Sequence, residues 1–133
     1  MKKTVLINIL FVLCAIFTSC SKDKQTLINT NWKAESVKAH TDSIWQYPTP
    51  PETAVLKFEN NNRYSFLRCS GKVRLMKNRG INFMVKFCDY PGLPDFCTQC
   101  ESTLYKTTHY ELFDNKLILK GDSGKIINFI KVE

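Results

Sequence analysis

The sequence predicts an α+β domain that is mainly β: a curved antiparallel sheet or small barrel of about seven strands with one short helix. Three observations carry this. Apolar residues recur at every second position in several short runs, as in Ile81, Phe83, Val85 and Phe87 opposite Asn82, Met84 and Lys86, the signature of half-buried strands. Tight-turn residues separate these runs at short intervals, as in Asn60-Asn61-Asn62, Asn78-Arg79-Gly80, Asp114-Asn115 and Gly121-Asp122-Ser123-Gly124. One segment alone has a helix-start pattern, Thr98-Gln99-Cys100-Glu101, with the spacing of a capping box.

In chain order, Met1-Lys2-Lys3 supplies a positive start and Val5 to Phe17 an apolar run broken only by Asn8. This layout predicts a secretory signal over residues 1–19, because the run is shorter than the roughly 20 residues a membrane span needs. Phe17-Thr18-Ser19-Cys20 resembles the lipobox of bacterial lipoproteins. The resemblance implies cleavage before Cys20 and lipid on its sulfur, with the membrane as a partner through that anchor. Ser21 after the cysteine implies passage to the outer membrane, on its periplasmic side or at the cell surface. Residues 20–26 are expected to form a polar, flexible tether, and residues 27–133 the domain.

The mature domain divides as follows. Trp32 to Val37 reads as the first strand. His40 to Thr53 contains Pro48, Pro50 and Pro51, which cannot support regular pairing, so it reads as a loop. Val55–Phe58 and Arg63–Cys69 read as a hairpin around the asparagine run, since Asn tolerates the left-handed backbone. Ser70-Gly71 then leads into Lys72–Met76, and Ile81–Phe87 follows. Asp89 to Phe96 is a second loop with Pro91, Gly92 and Pro94, followed by a helix over about 98–108. Three short strands close the chain: His109–Phe113, Lys116–Lys120 and Lys125–Val132.

Loss of the signal removes Lys2, Lys3 and Cys14. The mature chain then has five more basic than acidic residues, which suits acidic partners such as lipid headgroups or phosphorylated glycans, or simple solubility; the expected partner is a protein or a small apolar or anionic ligand. No nucleic-acid motif accompanies the charge. With Cys20 lipidated, Cys69, Cys88, Cys97 and Cys100 remain, an even number that predicts two disulfides in an oxidising compartment. Three connectivities are open, with Cys69–Cys88 plus Cys97–Cys100 preferred; the first would close a loop worth about 3 kcal/mol. Cys97-Thr98-Gln99-Cys100 at a helix start could instead be a redox pair, and the cysteines with His109 could hold zinc. Both readings rank below structural disulfides, and no metal or cofactor is expected.

His40 and His109 are the only imidazoles and stand in no catalytic motif, so no enzymatic activity is expected. Trp45, Tyr47, Tyr90 and Phe96 fall in or beside the two proline-bearing loops. They are the candidate binding residues, because aromatic side chains bury much area for little lost entropy. If both loops share one rim, these four define the site.

The order of motifs across residues 27–132 resembles the META domain family of the HslJ type. The residues that carry the resemblance are Leu27 to Trp32, Leu56-Lys57-Phe58 and Asn62-Arg63-Tyr64 before a cysteine. Beyond Cys88 and the helix near Glu101 come Tyr110-Glu111-Leu112, Leu117-Ile118-Leu119 and Asp122-Ser123-Gly124-Lys125. The family's Gly-Cys-Asn is here Arg68-Cys69-Ser70 and its Met-Ala-Cys is Lys86-Phe87-Cys88. The resemblance implies an envelope protein with a stress-, motility- or secretion-related role and no established enzyme chemistry. A lipocalin-like carrier is the structural rival, since Asn31-Trp32 is similar to part of the Gly-x-Trp signature. The expected function is that of a binding or interaction module in the envelope, the alternatives being a small-ligand carrier or a periplasmic enzyme inhibitor.

Overall fold

The computed structural model describes residues 22–89 and 92–132. The signal segment, Cys20 and Tyr90 lie outside the described residues. Eight antiparallel strands form a closed barrel in sequence order: β1 (Asn31–Lys38), β2 (Val55–Glu59), β3 (Arg63–Phe66), β4 (Cys69–Met76), β5 (Gly80–Cys88), β6 (Thr107–Leu112), β7 (Lys116–Gly121) and β8 (Ile126–Val132). The expected small barrel is therefore present, with eight strands rather than about seven. Closure comes from β1 against β8, paired from Asn31–Val132 to Lys38–Ile126.

Two helices close the ends. Residues 22–28 are helical (α1), although residues 20–26 were expected to form a flexible tether. Leu27 explains why: it is fully buried in the common core, so the segment has an apolar contact to hold it. The α1 residues Lys24, Leu27 and Ile28 lie over the end of the barrel formed by Phe58, Asn62, Val73 and Leu75. Asp23 fixes the helix further, accepting from Tyr110 Oη at 3.0 Å and facing Arg79 Nε at 3.7 Å.

At the opposite end sits α2 (Asp95–Leu104). It begins three residues before the expected Thr98, and no capping box forms. Pro94 precedes the helix, and Asp95 places a negative charge in the first turn, where the helix dipole favours it. Thr98 Oγ1 instead donates back to the Leu93 and Pro94 carbonyls at 3.3 and 3.2 Å. Glu101 is taken by Arg68, whose guanidinium donates to it from Nη2 at 3.0 Å and Nε at 3.2 Å. This partly buried fork ties α2 to the turn between β3 and β4. The helix stops at Leu104, whose carbonyl accepts from Thr107 Oγ1 at 2.7 Å, and the chain enters β6.

The β3–β4 turn falls at Leu67-Arg68, with Leu67 at φ 54°, and not at Ser70-Gly71. Gly71 has another task. It lies within β4, and a Cβ there would collide with the Met84 carbonyl of β5. The pairing of β4 with β5 shifts at this point, from Ser70–Phe87 to Gly71–Val85, so Lys86 is an extra residue. Such a bulge breaks the period of two. Ile81 and Phe83 are buried as expected, but Val85 and Phe87 are 52% and 61% exposed. Their assignment to the buried face is thereby corrected.

The barrel interior is filled. Trp32, Leu56, Tyr64, Phe66, Ile81, Tyr110, Leu117, Leu119, Ile127 and Phe129 are all at most 2% exposed. Aromatic edges interlock there: Tyr64 meets Phe83 at 5.0 Å between ring centroids and 82°, and Phe66 meets Phe129 at 6.1 Å and 70°. Under α1 the space left open amounts to about 10 Å³, at the threshold for a single water.

Candidate functional site

Because the lumen is packed, concave space must be sought on the outer wall. β1 alternates inward Trp32 and Ala34 with outward Lys33 and Glu35. Its pairing with β2 runs only from Asn31 to Lys33. Beyond that, the proline loop takes over the edge: Ala34 N–H donates to the Ala54 carbonyl at 2.8 Å, and Val37 and Gln46 exchange backbone hydrogen bonds of 3.0 and 2.9 Å. Gln46, Tyr47 and Pro48 are thus held against β1 in place of a strand. The result is an open groove of about 390 Å³ lined by Lys33, Glu35, Ser36, Tyr47, Pro48 and Ile130. Ser36 accepts from Asn128 Nδ2 at 3.0 Å, which stiffens the floor between β1 and β8.

The three candidate aromatics among the described residues separate. Tyr47 is at the groove with 66% of its surface exposed. Trp45 is half-buried in the same loop, with Lys38 Nζ 5.7 Å from its ring centroid, a cation–π distance. Phe96 is 3% exposed and belongs to the core, so its role as a surface anchor is corrected: the early start of α2 turns it inward. The end of the proline loop does meet the start of α2, where Cys97 Sγ donates to the Thr53 carbonyl at 3.7 Å. Lys33, Glu35 and Ile130 were not foreseen as site residues. Alternation alone put Lys33 and Glu35 outside, but nothing local showed which loop would fold back beside them.

The cysteines divide unequally. Cys69 and Cys88 stand directly opposite in the β4–β5 register and form a disulfide with a Cα separation of 4.1 Å. Cys97 and Cys100 are free and buried, which corrects the expected second bridge. Both lie within α2, where positions three apart hold their Cβ atoms about 5–6 Å apart, beyond the roughly 3.5–4.5 Å a disulfide needs. Burial pushes both thiols up from their ordinary values; beside Cys97, Glu52 and Glu101 add to the effect. A protonated thiol is a poor nucleophile, so the chemistry of this pair opposes a redox centre. Among the described residues no group of three or more His, Cys, Asp or Glu side chains could hold a metal ion.

Burial of these thiols has a measurable consequence. Their folded-state pKa values lie above the unfolded value near 8.5, so the stability they contribute is complete below that pH and is lost as pH rises toward the folded values. Native protein without reductant should expose no alkylatable thiol at Cys97 or Cys100 at pH 7 and two after unfolding in urea. Rapid native alkylation of either would contradict the buried arrangement.

The two imidazoles lie on different elements. His40 follows β1 at the α2 end of the barrel, whereas His109 pairs with Gly80 and donates to or accepts from Thr108 Oγ1 at 2.9 Å.

No family model and no curated protein matches this chain. Among solved structures, a DUF4847 family protein from Bacteroides vulgatus ATCC 8482 is similar, with a TM-score of 0.60 over 80% of this chain and 95% of that one. The identity is 12%, so what the two share is the small closed barrel.

Proposed function

We propose that this protein is an envelope lipoprotein whose barrel binds a partner on its outer wall, at the groove beside β1, and performs no catalysis. The observation that carries the proposal is the contrast between a lumen packed with fully buried side chains and an open groove of about 390 Å³ on the outer wall. A carrier of the lipocalin type needs an internal cavity of some hundreds of Å³, so the outer groove is the better site. Tyr47 supplies an apolar ring with a polar tip, Pro48 and Ile130 apolar walls, and Lys33 and Glu35 opposite charges. That composition suits a protein segment, with the tyrosine as anchor. A stress-related role, as the resemblance to the META family implies, fits a tethered binding module.

Photo-crosslinking in the producing cells tests this. With a photoreactive residue in place of Tyr47, a discrete adduct is expected; in place of Lys116 on β7 it is not. Glu35→Lys should remove at least about 80% of the Tyr47 adduct, as loss of roughly 1 kcal/mol of binding requires. Equal adducts at both positions, or none at Tyr47, would sink the assignment.

A further inference from the structure

Charge is distributed unevenly around the barrel. Residues 55–88, which make up β2 to β5, contain eight basic side chains and a single carboxylate, Glu59. The remainder of the mature chain is slightly acidic, so this half holds the whole excess. Arg68 is paired with Glu101 and Arg79 with Asp23. Lys57, Arg63, Lys72, Arg74 and Lys86 are exposed, and among the described residues none forms an ion pair. Arg63 and Lys72 stand directly opposite each other in the β3–β4 register, an arrangement that costs stability through like-charge repulsion. Lys72 in turn opposes Met84, and Arg74 opposes Asn82.

Apolar side chains adjoin this basic face. Met84, Val85 and Phe87 are 44%, 52% and 61% exposed, Phe87 lying just beyond the bulge at Lys86. The outer edge of β5 is also open, for its register with β6 is the single pair Gly80–His109. Long basic chains beside protruding apolar ones match the boundary between anionic headgroups and acyl chains, where cations remain with phosphate and apolar groups enter the lipid. An acidic protein would satisfy the arginines and lysines but leave Val85 and Phe87 without that reason to be exposed.

We infer that the β2–β5 wall docks on an anionic lipid bilayer, with Arg63, Lys72, Arg74 and Lys86 on headgroup phosphates and Phe87 and Met84 inserted at the interface. For its orientation the inference rests on the anchor proposed at Cys20. Lys22, the first residue of the described helix, follows Cys20 by two positions, a span of at most about 7 Å. Since α1 covers the Phe58, Asn62 and Val73 end of the same strands, the tether brings this wall toward the membrane. The groove beside β1 stays free for its partner.

The test uses the mature protein from membranes, reconstituted in vesicles of phosphatidylcholine alone or with phosphatidylglycerol, and lysine acylation read by mass spectrometry. On anionic vesicles Lys57, Lys72 and Lys86 should label at least about fivefold more slowly than on neutral ones, in line with the attraction each basic residue gains near such a surface. Lys116 and Lys131 on β7 and β8 should not change. About 0.5 M salt should restore labelling, since screening then acts within a few Å. Combined Arg63→Gln, Lys72→Gln and Arg74→Gln should abolish protection at Lys57 and Lys86 while leaving the melting temperature unchanged or higher, since the like-charge pair is removed. Equal labelling of both walls on anionic vesicles overturns the inference. So does protection on neutral vesicles alike, or protection in whole envelopes but not in protein-free vesicles, which would assign the face to an acidic protein. The mass of the Cys20 peptide reports on the anchor separately; if it is unlipidated, the same labelling with added protein still decides the face.

Discussion

Phe129→Ala is expected to lower the free energy of unfolding by roughly 3–5 kcal/mol, the range for removing a buried phenylalanine. Phe129 is 1% exposed in β8 and meets the Phe66 ring edge-on across the lumen. It lies between Ala34 of β1 and Leu117 of β7 in the sheet register, so the cavity would open beside the closure of the barrel. Rigid backbone on both sides limits collapse. A urea titration should show a much lower midpoint with an unchanged slope. In a double-mutant cycle, Phe66→Ala added to Phe129→Ala should cost less than its single value, because the pair interaction has already gone. If Phe129→Ala costs under about 1 kcal/mol, the lumen is not packed, and the outer groove loses its preference as the binding site.

Loss of the Cys69–Cys88 bridge should cost about 3 kcal/mol in the chain-entropy model, given its sequence separation of 19. For a domain of this size the melting temperature should fall by roughly 10 °C or more. The Cys69→Ser, Cys88→Ser variant and the reduced wild type should agree, since both release the same loop. The bridge also joins β4 to β5 beyond the bulge, next to the open edge of β5, so hydrogen exchange should rise first at 84–88. Substituting Cys97 and Cys100 by alanine should leave the melting temperature under oxidising and reducing conditions separated by the same amount. A large change in that separation would mean that they, and not Cys69 and Cys88, carry the bridge.

Much of the barrel was legible in the chain. The hairpins at Glu59–Arg63 and Leu112–Lys116 sit where asparagine and aspartate runs placed them, because left-handed backbone at Asn61 and Asn62 is a local property of those residues. The strands β6, β7 and β8 match their expected spans closely, since alternation is also local. Departures occur where a distant contact outweighs a local preference. Thr98 and Glu101 have capping-box spacing, yet Arg68, 33 positions away, draws Glu101 to itself. Residues 22–26 are polar, yet Leu27 docking into the core organises the turn around them. Phe87 follows a perfect alternation with Phe83, yet the close approach of Met84 to Gly71 accompanies a bulge that shifts its phase, and Val85, still in phase opposite Gly71, is exposed as well.

The site was legible in part. Tyr47 stands out in its loop and lines the groove, Trp45 stands out likewise but does not line it, and Phe96 is a core residue, which composition cannot distinguish from a surface anchor. By itself, the sequence determined the strand succession, the even set of cysteines and the concentration of basic residues in 55–88, because periodicity, parity and charge are properties of chain order. Tertiary structure alone decided that Cys69 and not Cys97 takes a partner, that the lumen is filled and that the open space lies outside β1. Those outcomes depend on which side chains converge when β1 meets β8, and burial is a sum over neighbours that no local window contains.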